Sequence, residues 1–199
     1  MTTGAAATDR RNAIVRAAYR VMARDGVHRV PLQRVAEEAG VSKGLVLYHF
    51  GTKDNLVLAT LEWVLEATAS RIRARLEDVA DPGSAIATVV DAIWRNPEAN
   101  RDFFRFYLDG VEHQARSPEF EGFGELGRRI IDGLYQEVIE AGVEARILDV
   151  ADSPAAAAEM RALIEGTFLL WLQTDDWRDN HRAFGDRCRL AVGRLLGAV

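Results

Sequence analysis

The residues of this chain best suited to chemistry are a lysine and several hydrogen-bonding side chains near position 45. Ser42, Lys43 and Gly44 are consecutive, and Tyr48 and His49 follow within two helical turns. A lysine can donate to the edge of a guanine, and a hydroxyl or an imidazole can hold a phosphate oxygen. No serine-centred nucleophile motif accompanies these residues. The group therefore indicates recognition of double-stranded nucleic acid rather than catalysis.

The residues around this group predict two short helices and the start of a longer one. The first helix has one apolar face, because apolar residues recur three or four positions apart at Leu32, Val35, Ala36 and Ala39. Gly40 supplies the left-handed residue of a sharp turn, and Ser42 is a good cap for the second helix. Gly51 ends that helix, and Thr52 caps a third that begins at Lys53. This arrangement is a helix-turn-helix, whose second helix enters the major groove.

The same stretch resembles the N-terminal signature of tetracycline-repressor (TetR) type regulators. The resemblance is carried by Ala36, Ala39-Gly40-Val41-Ser42-Lys43-Gly44 and Tyr48-His49-Phe50-Gly51-Thr52-Lys53-Asp54-Asn55-Leu56. Two features depart from the family pattern. Leu47 stands where an aromatic residue is common, and Val30-Pro31 replaces a pair of threonines. Beyond residue 55 only the length and the helical layout match.

The resemblance implies a dimeric, sequence-specific transcriptional regulator that binds a palindromic DNA operator. It is expected to be a repressor released by a small-molecule inducer, with a DNA-binding domain at 8–54 and a ligand-binding and dimerisation domain at 55–199. Base reading is expected from Lys43, Gly44 and Leu45, although Leu45 could instead pack within the head. The full set of expected DNA-binding residues is Arg34, Ser42, Lys43, Gly44, Leu45, Tyr48, His49 and Lys53.

The distribution of charge agrees with a DNA-binding N-terminus. The formal net charge is −5, but the first 60 residues hold nine Lys and Arg against five Asp and Glu. The remaining 139 residues hold 16 basic and 25 acidic groups. A basic head on an acidic body is expected when one end of a protein meets phosphate. A solvated helix surface would give the same count, so the charge supports the helix-turn-helix without proving it.

Length and composition indicate a globular, cytoplasmic protein of one or two domains. The chain has 199 residues, of which 48% are hydrophobic and 28% are charged. No apolar run approaches the roughly 18 residues of a membrane span, and the N-terminus lacks the apolar core of a secretory signal. The single cysteine, Cys188, excludes an internal disulfide and fits a reducing compartment.

The periodicity of the whole chain predicts an all-α protein of about nine helices. The first helix is expected to begin after Thr8 and to stop at Gly26, and the helix after Thr52 to continue to about Ala80. A later helix is expected to open at Ser117-Pro118 and to end at Gly142. Two more are expected from Ser153-Pro154 to about Gln173 and from near Asn180 to the end. No segment has a convincing strand pattern.

The helix that opens at Pro154 is apolar on two sides, which requires burial on two sides. One side can face its own body, and the other needs a partner. A central core helix of a monomer would look the same, but short head helices bind DNA weakly unless two are presented together. TetR-type proteins typically dimerise through their last two long helices. The residues expected at this interface are Gly166, Leu169, Leu170, Ala191 and Leu195.

The many aromatic residues of the body indicate either an ordinary core or the lining of a ligand cavity. The family resemblance implies an enclosed pocket for a small apolar or amphipathic molecule. Aromatic rings can also hold a quaternary ammonium group by cation–π attraction, and the layout resembles choline-responsive members. The expected lining is Trp63, Ala67, Arg71, Trp94, Phe103, Phe104, Tyr107, Phe123, Tyr135, Phe168 and Trp171. A ligand that tilts the long helix after Thr52 would change the spacing of the two heads.

Three other patterns carry little weight. Residues 122–127 match GxGxxG but follow no buried strand, so we interpret them as a glycine-softened helical segment. The four histidines and Cys188 have no zinc-like spacing, and no metal or cofactor is expected. Cys188 is interpreted as a packed small hydrophobe. A helical ligand- or partner-binding protein that does not engage DNA is the main alternative function, and an all-α enzyme lacks an identifiable catalytic group.

Overall fold

The computed structural model describes residues 3–79, 81–117 and 120–197 of the chain. Within them it contains nine helices and no strand, so the prediction of an all-α protein is confirmed. The helices are α1 (Thr3–Asp25), α2 (Leu32–Ala39), α3 (Lys43–Phe50), α4 (Lys53–Glu77), α5 (Ala85–Ile93), α6 (Pro97–Arg116), α7 (123–144), α8 (Ser153–Leu172) and α9 (Trp177–Leu195). Residues Arg128–Asp132 of α7 are π-helical, and a 3₁₀ turn, Pro82–Ser84, precedes α5.

The predicted capping residues begin and end the helices of the helix-turn-helix. Gly40 ends α2 in the left-handed conformation, with φ of 67°. The Ser42 hydroxyl accepts a hydrogen bond of 3.1 Å from the backbone N–H of Leu45, which satisfies one free donor at the start of α3. The Thr52 hydroxyl accepts in the same way from Asn55 at the start of α4. These local predictions are confirmed.

Several helix boundaries differ from the predicted ones. Helix α1 begins at Thr3 and not after Thr8, because an alanine-rich start favours helix. Helix α4 ends at Glu77, while Ala80 lies outside the described residues. Helix α9 begins at Trp177, earlier than the Asn180 that we predicted.

Helix α7 shows why a glycine is a poor guide to a helix end. It begins at Phe123, later than the predicted Ser117-Pro118, of which Pro118 lies outside the described residues. Gly142 does not end α7, which continues to Glu144. A Cβ atom at Gly142 would lie 2.6 Å from Leu148 Cδ1. The glycine therefore makes room for the returning chain.

The described chain divides into two compact units. Unit 1 comprises Met1–Val64 and Asp102–Gly124, and unit 2 comprises Leu65–Arg101 and Glu125–Val199. Helices α4 and α6 each contribute to both units. The predicted functional boundary at residues 54 and 55 does not coincide with this division and stays a prediction.

Unit 1 is built around the apolar face of α1. Ile14, Ala17, Ala18, Val21 and Met22 have no exposed surface, as expected from their helical spacing. Tyr19 packs edge-on against Phe106, with ring centroids 5.7 Å apart. After α1, the chain turns at Gly26, whose φ is 91°, and the backbone N–H of Val27 donates to the Asp109 carboxylate at 2.8 Å. These contacts fix α1 and its following loop within the unit.

Unit 2 is built around an aromatic cluster. The rings of Trp94 and Phe168 stack with centroids 3.8 Å apart and an interplanar angle of 5°, and Trp171 meets Trp94 edge-on. His181 also packs against Trp94 and is bonded to the side chain of Asn100 at 2.8 Å. Because the Asn100 amide nitrogen donates to the carbonyl of Ile93, its oxygen accepts from His181 Nε2.

Residues 122–127, which match GxGxxG, form a largely helical segment as predicted. Gly122 has φ of 90° and stands just before α7, and Phe123–Gly127 is helical. No strand precedes it among the described residues. The segment therefore lacks the strand-turn-helix context that a dinucleotide-binding loop needs.

Candidate functional site

Helix α3 presents one side to the protein and the other to solvent. Val46 and Phe50, one turn apart, are buried in unit 1. Lys43 and Gly44 are exposed, and Tyr48 has 83% of its surface exposed. A large aromatic side chain left in solvent on a helix of eight residues is not explained by the core. The exposed side of α3 is therefore a candidate for binding a partner.

The other residues predicted to read bases or hold phosphate surround this exposed side. Leu45 is half-buried, so it retains some surface for a base contact while it packs within the unit. Arg34 is exposed on α2, 3.9 Å from the Glu37 carboxylate, and remains available to an external anion. His49 is half-buried and lies edge-on to Tyr48, with ring centroids 5.3 Å apart.

Lys53 has a role in the unit that the sequence did not reveal. Its Nζ donates to the backbone carbonyl of His28 at 3.3 Å. Burial lowers the pKa of Lys53, which the neighbouring Asp54 partly offsets. The side chain thus ties the start of α4 to the loop after α1, and its ammonium group has two further N–H donors for a phosphate.

A histidine cluster next to Lys53 was missed by sequence reasoning. His113 Nε2 lies 3.2 Å from the Asp54 carboxylate, and the rings of His28 and His113 are 5.1 Å apart. The cluster joins three segments of unit 1 that are far apart in the chain. Spacing of histidines along one helix could not reveal it, because the contact spans 59 residues.

The predicted pocket residues of unit 1 form one group with one outlier. Phe103, Phe104 and Tyr107 contact one another, and Tyr107 also contacts Phe123, with ring centroids 5.1 to 6.0 Å apart. Trp63 is separate from this group and packs 6.1 Å from the ring of Tyr19.

The predicted pocket residues of unit 2 are differently placed. Trp94, Phe168 and Trp171 come together in the buried aromatic cluster. Tyr135 is also buried, and burial raises its pKa. Ala67 is exposed, and Arg71 is half-buried on α4.

Cys188 lies beside the aromatic cluster of unit 2 and is buried. Burial raises the pKa of its thiol, which the neighbouring Trp94 and Thr167 side chains partly offset. A thiol whose deprotonation is disfavoured is a poor nucleophile. Its burial agrees with the interpretation of Cys188 as a packed small hydrophobe.

An open groove of about 450 Å³ lies on unit 2 between the end of α4 and α7. Its walls are mainly apolar, and an ion pair joins Arg73 to Glu137 with 3.0 Å between nitrogen and oxygen. The lining residues are Arg73, Leu76, Glu77, Val79, Ala85, Leu134, Glu137, Val138, Ala141 and Gly142. None of them was predicted to line a pocket.

Helices α8 and α9 leave large apolar side chains in solvent. Leu169 and Leu170 are 46% and 61% exposed, and Leu195 is 38% exposed. A Cβ atom at Gly166 would meet nothing within 4 Å. Ala191 is half-buried. Four of the five predicted interface residues thus lie at the surface of this chain.

Leu190 of α9 is also exposed, at 55%, and was missed by sequence reasoning. It shares its side of the helix with Arg187 and Arg194. Because two arginines lie on this side, the apolar periodicity of the sequence predicts that it faces solvent.

Neither a membrane span nor a cluster of metal ligands is found among the described residues. None of the helices that the structure describes combines the length and the apolar composition needed to cross a membrane. Within residues 3–79, 81–117 and 120–197, no three His, Cys, Asp or Glu side chains are grouped as metal ligands.

Comparison with known proteins gives a consistent assignment. Residues 14–60, which span the helix-turn-helix, match the family described as bacterial regulatory proteins, tetR family. The HTH-type transcriptional regulator BetI of Serratia proteamaculans (strain 568) is 25% identical over 168 residues, covering 83% of this chain and 80% of that protein. The similarity to BetI therefore extends through most of the body.

Solved structures show the same fold. A TetR-family transcriptional regulator from Rhodococcus sp. superposes with a TM-score of 0.79 at 22% identity, covering 95% of this chain and 99% of that one. A transcriptional regulator from Saccharomonospora viridis, solved in complex with choline, superposes with a TM-score of 0.74 at 22% identity, covering 96% of both chains. At this identity the likeness concerns the fold.

Proposed function

Since the chain belongs to the TetR family of transcriptional regulators, we propose that it is a dimeric repressor released from its operator by a small molecule. The proposal assigns DNA binding to residues 8–54 and ligand binding and dimerisation to 55–199. The protein is proposed to act in the cytoplasm, on a palindromic operator.

The observation that carries this proposal is the solvent-exposed side of α3. Lys43 and Gly44 are open to solvent at its start, and Tyr48 is 83% exposed one turn later. This is the helix that a helix-turn-helix places in the major groove, with its early residues against the base edges. Lys43 would donate to guanine, and Leu45 would contact a thymine methyl group.

The phosphate contacts are assigned to residues that flank the base-reading positions. Tyr48, His49 and Lys53 would hold the backbone at the end of α3, with Arg34 and Ser42 at its start. Such contacts fix orientation without reading sequence. The Ser42 hydroxyl already caps α3, so its further bond would use the free hydroxyl hydrogen.

The dimer is supported by the apolar side chains of α8 and α9. Leu169, Leu170, Leu190 and Leu195 would be removed from water by a second copy of the chain. A two-fold interface uses the same patch on both copies, and leucine side chains satisfy this because they pack against one another. Two heads must then lie about 34–36 Å apart, or a multiple of this, to enter successive major grooves.

Induction is assigned to the body. Helix α4 starts with Lys53, which supports the head, and ends at Glu77 in unit 2. A ligand that binds in the body and changes the direction of this helix would change the position of the head. Thermodynamic linkage then requires operator DNA to weaken ligand binding by the same factor.

A gel-shift or anisotropy titration against the DNA upstream of the chain's own gene tests the first part. The wild type should bind a palindromic segment there, and Lys43→Ala should weaken binding. Ile147→Ala is the control, because Ile147 is exposed in the loop after α7 and has no assigned DNA contact. Absence of binding to both the upstream DNA and random DNA would favour the alternative, a helical ligand- or partner-binding protein that does not engage DNA.

Leu45→Gln tests base reading directly. If Leu45 reads a base, operators selected by the variant should differ from the wild-type consensus at one position of each half-site. An unchanged consensus with lower affinity would mean that Leu45 only packs within unit 1.

A further inference from the structure

Arg71 of α4 contains a buried hydrogen-bond donor that nothing in the described chain satisfies. Its Nε atom is buried and has no hydrogen-bond partner, while the residue as a whole is half-buried. A buried donor without an acceptor is costly, and natural proteins rarely keep one. The unsatisfied Nε of Arg71 therefore indicates an acceptor that comes from outside the chain.

Two further arginines of unit 2, both exposed, act electrostatically on Arg71. Arg75 lies one helical turn after Arg71, and Arg95 follows α5. Burial lowers the pKa of Arg71, and the positive charges of Arg95 and then Arg75 lower it further. No carboxylate of the described residues forms an ion pair with any of the three. Three like charges gathered without a counter-ion form a site of positive potential.

Arg73, on the same helix, is by contrast an arginine whose hydrogen bonds are made within the protein. It makes a two-pronged contact with the carboxylate of Glu137, and this contact raises the pKa of Arg73. Arg71 lies only two residues away on another side of α4, and its pKa is shifted in the opposite direction. The lowered pKa of Arg71 is therefore not a property that all arginines of α4 share.

We propose that Arg71, assisted by Arg75 and Arg95, binds the carboxylate or phosphate group of a small organic anion. A planar guanidinium donates two parallel hydrogen bonds to either group, and these bonds are strong where water is limited. The proposal rests on the proposed function for its regulatory meaning, since it names the chemical class of the body's ligand. It also separates this chain from a choline-binding regulator, because three guanidinium groups repel a quaternary ammonium.

The test uses the full-length protein and probes that share one apolar chain. Hexanoate, hexyl phosphate, 1-hexanol and choline are titrated by calorimetry in the absence of DNA, with inorganic phosphate as the head group alone. One or both hexyl anions should bind about ten- to a hundredfold more tightly than hexanol, as expected for charge-assisted hydrogen bonds. The stronger of the two identifies the carboxylate or the phosphate as the group recognised. Binding of inorganic phosphate alone at Arg71 would also support the site.

Arg71→Gln should remove this preference for the anions, and Arg73→Gln is the matched control that should retain it. The proposal is overturned if hexanol binds as well as both anions, if neither anion nor phosphate binds, or if Arg71→Gln binds like the wild type. Choline that binds more tightly than the anions would overturn it as well.

A second measurement needs no ligand. Arg71→Met removes the unsatisfied donor and the like-charge repulsion, so the Tm of the free protein should rise by about 2–4 °C. A lower Tm would mean that Arg71 stabilises the fold, for example through a bound water, and would overturn the proposal. Operator affinity is measured separately, with and without the anion. If the anion binds but does not change operator affinity, the proposed anion site stands and the proposed induction is refuted.

Discussion

The exposed side of α3 and the exposed side of α8 and α9 both leave large side chains in water, but of opposite chemistry. On α3 the exposed residues include Lys43, Gly44 and Tyr48, which offer charge, close backbone approach and a hydroxyl. On α8 and α9 they include Leu169, Leu170 and Leu190. DNA presents phosphates and hydrogen-bonding base edges, whereas a second copy of the chain presents the same leucines. Each surface has the chemistry of its proposed partner.

The two surfaces also differ in how they depend on each other. A single recognition helix makes few contacts, so DNA affinity depends on joining two heads, and this joining is the role proposed for the leucines. Linked binding exceeds single binding by roughly 10²- to 10⁴-fold when the geometry permits both contacts. The surface proposed to join the two copies is therefore expected to have the larger effect on DNA affinity.

The largest expected effect is that of Leu170→Asp. A carboxylate in the centre of an apolar interface would be buried opposite its own copy, so the variant should be monomeric. Operator affinity should fall at least about 100-fold, because the two heads no longer bind together. Sedimentation and anisotropy titrations measure both quantities.

Ile147→Asp is the control for this substitution. Ile147 is also exposed, at 37%, but lies outside α8 and α9. It should leave the dimer and the operator affinity unchanged. A dimeric Leu170→Asp variant would show that the leucines of α8 and α9 do not form the interface.

The comparison also explains what the sequence could and could not predict. The caps Ser42 and Thr52, the left-handed Gly40 and the short α3 were predictable, because each depends on residues within four positions. The contact of His113 with Asp54 and the exposure of Leu190 depend on segments brought together by folding. The predicted end at Gly142 was wrong for the same reason, since Leu148 decides the role of that glycine.

The aromatic residues of the body mark the limit of prediction from composition. Their types indicated either a core or a cavity, and the sequence could not separate the two. In the structure Trp94 and Phe168 stack at 3.8 Å, which leaves no space between their rings. The Nε atom of Arg71 has no hydrogen-bond partner, which is the strongest indication of a ligand. The sequence predicted Arg71 only as one of eleven residues that line a pocket.

Gly110→Ala tests how tightly the core of unit 1, the unit that contains α3, is packed. A Cβ atom at Gly110 would lie 2.2 Å from the ring of Phe123, which is buried and has little freedom to move. Overpacking of this kind should lower the free energy of unfolding by about 1–3 kcal/mol. Chemical denaturation measures the change.

The matched control is Gly133→Ala in α7. Gly133 is also helical, and its Cβ atom would meet nothing within 4 Å. This variant should gain about 0.5–1 kcal/mol, because alanine favours helix. Equal effects of the two variants would contradict the close packing of Gly110 against Phe123.

A smaller effect is expected for Lys53→Ala, which separates phosphate binding from base reading. Loss of one phosphate contact should weaken specific and random DNA alike and lower the slope of log affinity against log salt by about one. Lys53→Gln keeps a donor for the His28 carbonyl without the charge, so it isolates the electrostatic part. A loss confined to one base position would mean that Lys53 reads sequence. An unchanged slope in Lys53→Gln would mean that the lysine serves only to close the loop after α1.

The smallest expected effect is a loss of stability at acid pH caused by His181, which belongs to unit 2, whereas α3 belongs to unit 1. Burial lowers the pKa of His181 below its ordinary value of 6.5, although the carboxylate of Glu98 partly offsets this. The unfolded chain therefore binds the proton more readily than the folded one. The contribution of neutral His181 to stability is fully present above about pH 6.5 and is lost as the pH falls toward the folded pKa. The slope cannot exceed about 1.4 kcal/mol per pH unit for one proton. Denaturation from pH 7.5 to 5 should show this loss in the wild type and a smaller one in His181→Gln, which keeps a donor for Asn100. The two profiles would coincide if His181 were not the group responsible.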